Sequence, residues 1–195
     1  MRGKTTLLDY RRSRRKRDPE ADAAPLEDGY WRKKTLAEMS EREWEALCDR
    51  CGKCCVISIE DADSGELYLT DVSCKLFDTK ACGCADYANR KDYVSDCVKL
   101  TPKNVAKLDW LPRTCGYRLV SEGRDLFWWH PLVSGDANTV HAAKASVRNR
   151  TRPEGRLQMA GLIKRITRWP APIEKPPAKY RKRGKAPSRR RGKPD

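Results

Sequence analysis

Apolar residues in this chain come in short bursts separated by long polar runs. Val56-Ile57-Ser58-Ile59 and Leu67-Tyr68-Leu69-Thr70 flank the turn-forming Asp61-Ala62-Asp63-Ser64-Gly65, which predicts a β-hairpin. Ser40-Glu41-Arg42-Glu43 has the spacing of a capping box, and Trp44, Leu47 and Cys48 follow at helical intervals. Thr101-Pro102 predicts a short helix through Leu108, and a further helix is expected over 117–122, stopped at Gly123. Near the C-terminus, Met159, Leu162, Ile163, Ile166 and Trp169 form a helical apolar stripe, with Lys164, Arg165 and Arg168 off it. The expectation there is a helix packed back onto the domain. Residues 71–99 show little periodicity and read as loops. Phe127, Trp128 and Trp129 read as core packing.

The resulting fold class is α+β: a small irregular domain with short helices, a β-hairpin and a metal-stabilised centre. No apolar run approaches the roughly 18 residues a spanning helix needs, so no membrane partner is expected.

Charge changes the picture through its position. The chain has 195 residues and a net charge of +15, yet residues 18–167 carry a net −1. The excess lies at the ends, where Arg11–Arg17 and Arg181–Lys185 are the densest runs. Six of the twelve prolines also fall after residue 169. The expected organisation is a disordered basic arm over 1–29, a cysteine-rich domain over 30–168, and a disordered tail over 169–195. Such arms could bind nucleic acid nonspecifically through phosphates, though no Phe or Trp is interleaved for base stacking. Arg11–Arg17 is followed by Asp18-Pro19-Glu20-Ala21-Asp22 and not by an apolar segment, so no export signal is read there. A cytoplasmic location is expected, where clustered thiols point to metal or redox chemistry.

All nine cysteines lie within residues 48–115, so the thiols belong to the neutral body and not to the basic ends. Cys48, Cys51, Cys54 and Cys55 fall within eight residues, a density chance rarely produces. A Cys-x-x-Cys turn converges two sulfurs on one metal while local N–H groups point at them. Cys82, Cys84, Cys97 and Cys115 are the next candidate ligands, with Cys74 last. Eight thiolates would make two Cys₄ zinc sites with one thiol left over; four would hold one iron–sulfur cluster. A structural zinc contributes roughly 10–16 kcal/mol of apparent binding free energy. That matches the roughly 5–15 kcal/mol stability of a whole domain. Spacing alone leaves zinc and iron–sulfur open.

Two other function classes compete with a metal-binding protein. One is a cluster- or thiol-dependent redox enzyme, with Cys51 or Cys54 activated by Arg50 or Lys53. No nucleotide loop, Ser/His/Asp set or carboxylate pair accompanies it. The other is a nucleic-acid-associated, zinc-knuckle-like protein gripping phosphates with its arms. His130 reads as a structural histidine bonded to backbone, and His141 as a surface or strand residue.

The Cys-x-x-Cys-x-x-Cys-Cys run resembles the YcgN/YkgJ-type bacterial family of zinc- or iron-chelating domains. The resemblance covers roughly residues 30–147, including Glu43-Trp44-Glu45, Cys82-Gly-Cys84, Trp110-Leu111-Pro112, Thr114-Cys115 and Trp129-His130-Pro131-Leu132. It takes in all nine cysteines and implies a metal cofactor. A flagellin lysine methylase with a similar cysteine motif is thought to use an iron–sulfur cluster, so the resemblance leans toward iron. This chain is much shorter than that enzyme, and its activity is not carried over.

Overall fold

The computed structural model describes residues 25–178 and Tyr180. Arg11–Arg17 and Arg181–Lys185 lie outside the described residues.

The capping box forms as its sequence dictates. Ser40 Oγ accepts the Glu43 amide at 3.2 Å and the Glu43 carboxylate accepts the Ser40 amide at 2.8 Å. This starts helix α1, Glu41–Glu45. Glu43 is buried, and Lys34 Nζ at 2.7 Å supplies its counter-charge. The hairpin also forms: β1 (Val56–Glu60) pairs antiparallel with β2 (Leu67–Ser73), with a register irregularity between Val56 and Ser58. Asp61 builds the turn, its Oδ1 accepting the Ser64 amide at 2.8 Å, and Gly65 takes the left-handed conformation that closes it. A small ladder of β3 (Phe77–Asp78) with β4 (Gly83–Cys84) follows. After the short helix α2, Arg90–Tyr93, the predicted helix over 117–122 appears as α3, Gly116–Ser121. It ends before Gly123, whose φ is +68°. Two four-residue helices complete the centre, α4 (Pro131–Ser134) and α5 (Thr139–Ala142). The strand β5, Arg152–Pro153, then joins β2 in parallel, and helix α6, Met159–Ile163, comes last.

Two expectations are corrected. Residues 101–108 form only the 3₁₀ turn Val105–Lys107. The Asn104 side chain accepts the Thr101 amide and donates to the Lys99 carbonyl, and Val105 donates to the Thr101 carbonyl, so a single capped turn forms and goes no further. The C-terminal stripe forms helix only as far as Ile163, and Met159, Ile163 and Ile166 are exposed. Beyond it the backbone runs along β2 instead: Thr167 donates to the Leu69 carbonyl, and Asp71 to that of Arg165. The guanidinium of Arg165 grips the Asp71 carboxylate with two nitrogens.

The apolar side chains bury into three small cores. The largest gathers Tyr30, Trp44, Leu47, Leu111, Tyr117 and Leu119 among others. A second holds Cys51, Trp129, Val140, Ala143 and Ala145, and a third Val56, Phe77, Cys82 and Val147. Residues 47–56 contribute to all three, so the cysteine run lies at their junction. The aromatic cluster packs as expected, with Phe127 stacked on a fully buried Trp129 at 4.3 Å. Residues 169–178 are described and touch the body, Ile173 bonding to Ala143 and to Trp128.

Candidate metal centre

Helix α1 unwinds into Cys48, and two left-handed residues, Arg50 (φ 55°) and Gly52 (φ 75°), then turn the chain sharply. A Cβ on Gly52 would fall 2.5 Å from the ring of Phe77 and 2.9 Å from Val147, so only glycine fits. The turn passes into the 3₁₀ segment Lys53–Cys55, which leads directly to β1. Backbone amides then point at sulfur two residues back: Arg50 to Cys48 and Lys53 to Cys51. The same spacing recurs from Leu76 to Cys74 and from Asp86 to Cys84. The amides of Tyr117 and Arg118, at the start of α3, reach Cys115. Amide donors aimed at sulfur favour the thiolate, the form that ligates metals.

The nine thiols, all unbridged, fall into groups. Cys48, Cys54 and Cys115 lie within one another's electrostatic reach, Cys51 lies within reach of Cys48 and Cys54, and all four feel Asp49. Cys74, Cys84 and Cys97 form a second neighbourhood. Cys55 lies between them, its carbonyl accepting the Cys74 amide at 2.9 Å and its thiol bonded to that of Cys54. Cys82 is buried in the third core, against which Cys55 and Cys74 also pack, with its thiol 3.5 Å from the Cys51 carbonyl and within electrostatic reach of Asp49 and Cys54.

Burial disfavours the thiolates. It pushes Cys115 and Cys82 up to about 11 and raises Cys51 further, with Asp49 adding to the effect. Cys54 is held up chiefly by its bond to Cys55. Asp49 was missed in the sequence, because an acid between two cysteines carries no distinguishing signal. It is 4% exposed; its Oδ1 accepts the Cys51 amide at 3.0 Å, and its Oδ2 has no partner. A buried carboxylate among four thiols fits a bound cation, since an uncompensated buried charge costs several kcal/mol. Among the described residues, no three Cys, His, Asp or Glu side chains converge tightly enough to hold a single ion.

Both histidines serve structure. His130 is buried, Nε2 lying 3.1 Å from the Leu47 carbonyl while Nδ1 accepts the Leu132 amide and caps α4. Burial lowers its pKa, so it stays neutral. His141 lies on α5, not on a strand, with Nδ1 2.7 Å from Ser146 Oγ.

Residues 47–116 match a family model described as CxxCxxCC, "Putative zinc- or iron-chelating domain". The chain is similar to a UPF0260 protein of Nitrobacter hamburgensis, 55% identical over 159 residues, covering 77% of this chain and 93% of the relative. A UPF0260 protein of Rhodopseudomonas palustris is 54% identical over 161 residues, 82% of this chain and 94% of the relative. One from Rhizobium leguminosarum is 56% identical over 144 residues, 74% and 90% respectively. No solved structure matches the chain. Among the described residues, no helix is long and apolar enough to cross a membrane.

Proposed function

This chain belongs to the UPF0260 family, and from that premise we propose that it carries an iron–sulfur cluster on Cys48, Cys51, Cys54 and Cys115. The observation that carries the reading is the gathering of these four thiols around the unpartnered carboxylate oxygen of Asp49. A single zinc would hold its sulfurs roughly 3.8 Å apart, as tetrahedral bonds of about 2.3 Å require. Four thiolates equally match the Cys₄ set that holds an iron–sulfur cluster. When bound, such a group supplies one-electron transfer at a potential tuned by hydrogen bonds to its sulfurs. The amides of Arg50, Lys53, Tyr117 and Arg118 provide those bonds. Cys48 and Cys54 reach the surface, which leaves an edge of the site open to a redox partner.

Cys74, Cys84 and Cys97, with Cys55 as fourth donor, form a second thiol neighbourhood that would have to draw together to hold a structural zinc. Cys82 is a packing residue in this reading. Nine free thiols fit the reducing cytoplasm as the place of action.

Anaerobic purification with iron, zinc and acid-labile sulfide analysis tests the proposal. A brown protein with labile sulfide and absorbance at about 400 nm is the expected result. A colourless protein holding zinc alone overturns the cluster. Metal-free protein whose thiols titrate freely overturns the site itself.

A further inference from the structure

Around the segment 146–150 lies an open cavity of about 550 Å³. Its lining includes His141, Lys144, Ser146, Arg148, Asn149 and Arg150. That volume is within the roughly 300–1,000 Å³ typical of small-ligand sites. No carboxylate lines it, and the sequence holds no acid at all from residue 137 to residue 153. Among the described residues, none of Lys144, Arg148 and Arg150 forms an ion pair. In a body of net charge −1 this is a local concentration of one sign, and like charges held together without a counter-ion repel.

The backbone fixes this arrangement. Helix α5 ends with Ala145 donating to the Val140 carbonyl and Lys144 to that of His141, which places Lys144 at φ 59°. Glycine is usual at such a helix end. A lysine there accepts left-handed strain and sets a cation at the rim. Asn149 repeats the feature at φ 58°. Arg150 is locked from behind, bonded to the Lys144 and Ser146 carbonyls and lying over the Trp169 ring at 5.2 Å. Arg148 and Lys144 are exposed.

We propose that this cavity is an anion site that takes a phosphate group of a nucleotide or of a nucleic-acid backbone. Guanidinium groups match phosphate oxygens with paired N–H donors, and the lysine adds a point charge. The site belongs to the folded body and is independent of the basic chain ends and of the metal reading.

The full-length double variant Lys144→Gly/Arg148→Ala removes two cations, and glycine at 144 suits the backbone there. Lys91→Ala/Lys103→Ala removes the same charge at exposed positions away from the cavity. Binding of ADP is measured by calorimetry, and of a labelled single-stranded RNA oligomer by anisotropy across a salt series. The expected result is a loss of about tenfold for one ligand in the cavity variant, with the control pair within about twofold. If RNA is the source, the salt slope also falls by about 1.4, since each single-strand phosphate contact contributes about 0.7. If ADP alone responds, the source is a free nucleotide. Equal losses in the two variants, or no response to either ligand, overturn the proposal.

Discussion

A side-chain carbon on Gly116 would fall 2.1 Å from the carbonyl oxygen of Leu47. The two backbones therefore cross in contact, and the residues beside the crossing are Cys48 and Cys115. His130 braces the same point, its Nε2 lying 3.1 Å from that carbonyl and 3.0 Å from the carbon position on Gly116. This crossing brings a thiol 60 residues downstream into the motif. Gly116→Ala forces the segments apart. We expect a loss of about 3 kcal/mol of stability and of retained metal, read by thermal unfolding and metal analysis after gel filtration. A variant with parental melting and full metal would show that the crossing does not position Cys115.

Gly52 and Gly123 share nearly the same φ, 75° and 68°, but differ in their surroundings. A methyl group on Gly52 meets Phe77 and Val147, whereas one on Gly123 meets nothing within 4 Å. Gly123→Ala should cost only the conformational penalty of about 1 kcal/mol. Gly52→Ala should cost at least about 2 kcal/mol more, because an aromatic ring must move as well. Chemical denaturation of the pair checks the difference. Equal effects would mean that the Gly52 slot is not tightly packed.

The thiol grouping predicts a split among cysteine variants. Cys48→Ser, Cys51→Ser, Cys54→Ser and Cys115→Ser should each abolish the visible absorbance. Cys74→Ser and Cys84→Ser should spare it and lower the zinc content. Cys82→Ala should retain both and lose about 1 kcal/mol, as expected for a small buried hydrophobe. Loss of colour in Cys82→Ala would place that thiol among the ligands.

Burial lowers the pKa of His130 from its ordinary 6.5. The unfolded chain therefore binds a proton below that pH before the folded chain does. Above pH 6.5 the group adds no pH dependence. Stability falls as the pH drops from 6.5 toward the lowered folded value. His130→Asn keeps an acceptor for the Leu132 amide but loses the contact with Leu47, and should cost about 2 kcal/mol at pH 7. Its melting temperature should converge on the parental value between pH 7 and pH 5. A constant gap over that range would show that His130 does not titrate on unfolding.

The parts of the fold legible in the sequence are those whose cause lies within a few residues. Ser40 and Glu43 cap each other across three positions, Asp61 builds its turn from the next three residues, and Gly123 ends the helix beside it. The C-terminal stripe was misleading because its partner lies far away. Asp71 holds Arg165 across 94 positions, and the edge of β2 takes the backbone that periodicity assigned to a helix.

By itself, the sequence determined that thiols and positive charge occupy different parts of the chain, that four thiols share one short turn, and that the centre is irregular. These are properties of composition and near spacing. Only the tertiary structure brought Cys115 beside Cys48 and Cys54, packed Cys82 in a core, and left an oxygen of Asp49 without a hydrogen-bond partner among the thiols. It alone gathered Lys144, Arg148 and Arg150 around one cavity. The physical reason is the same in each case. A thiol, a carboxylate or a cation is chemically identical wherever it occurs in a sequence, and burial and distant neighbours set its charge state, partners and role.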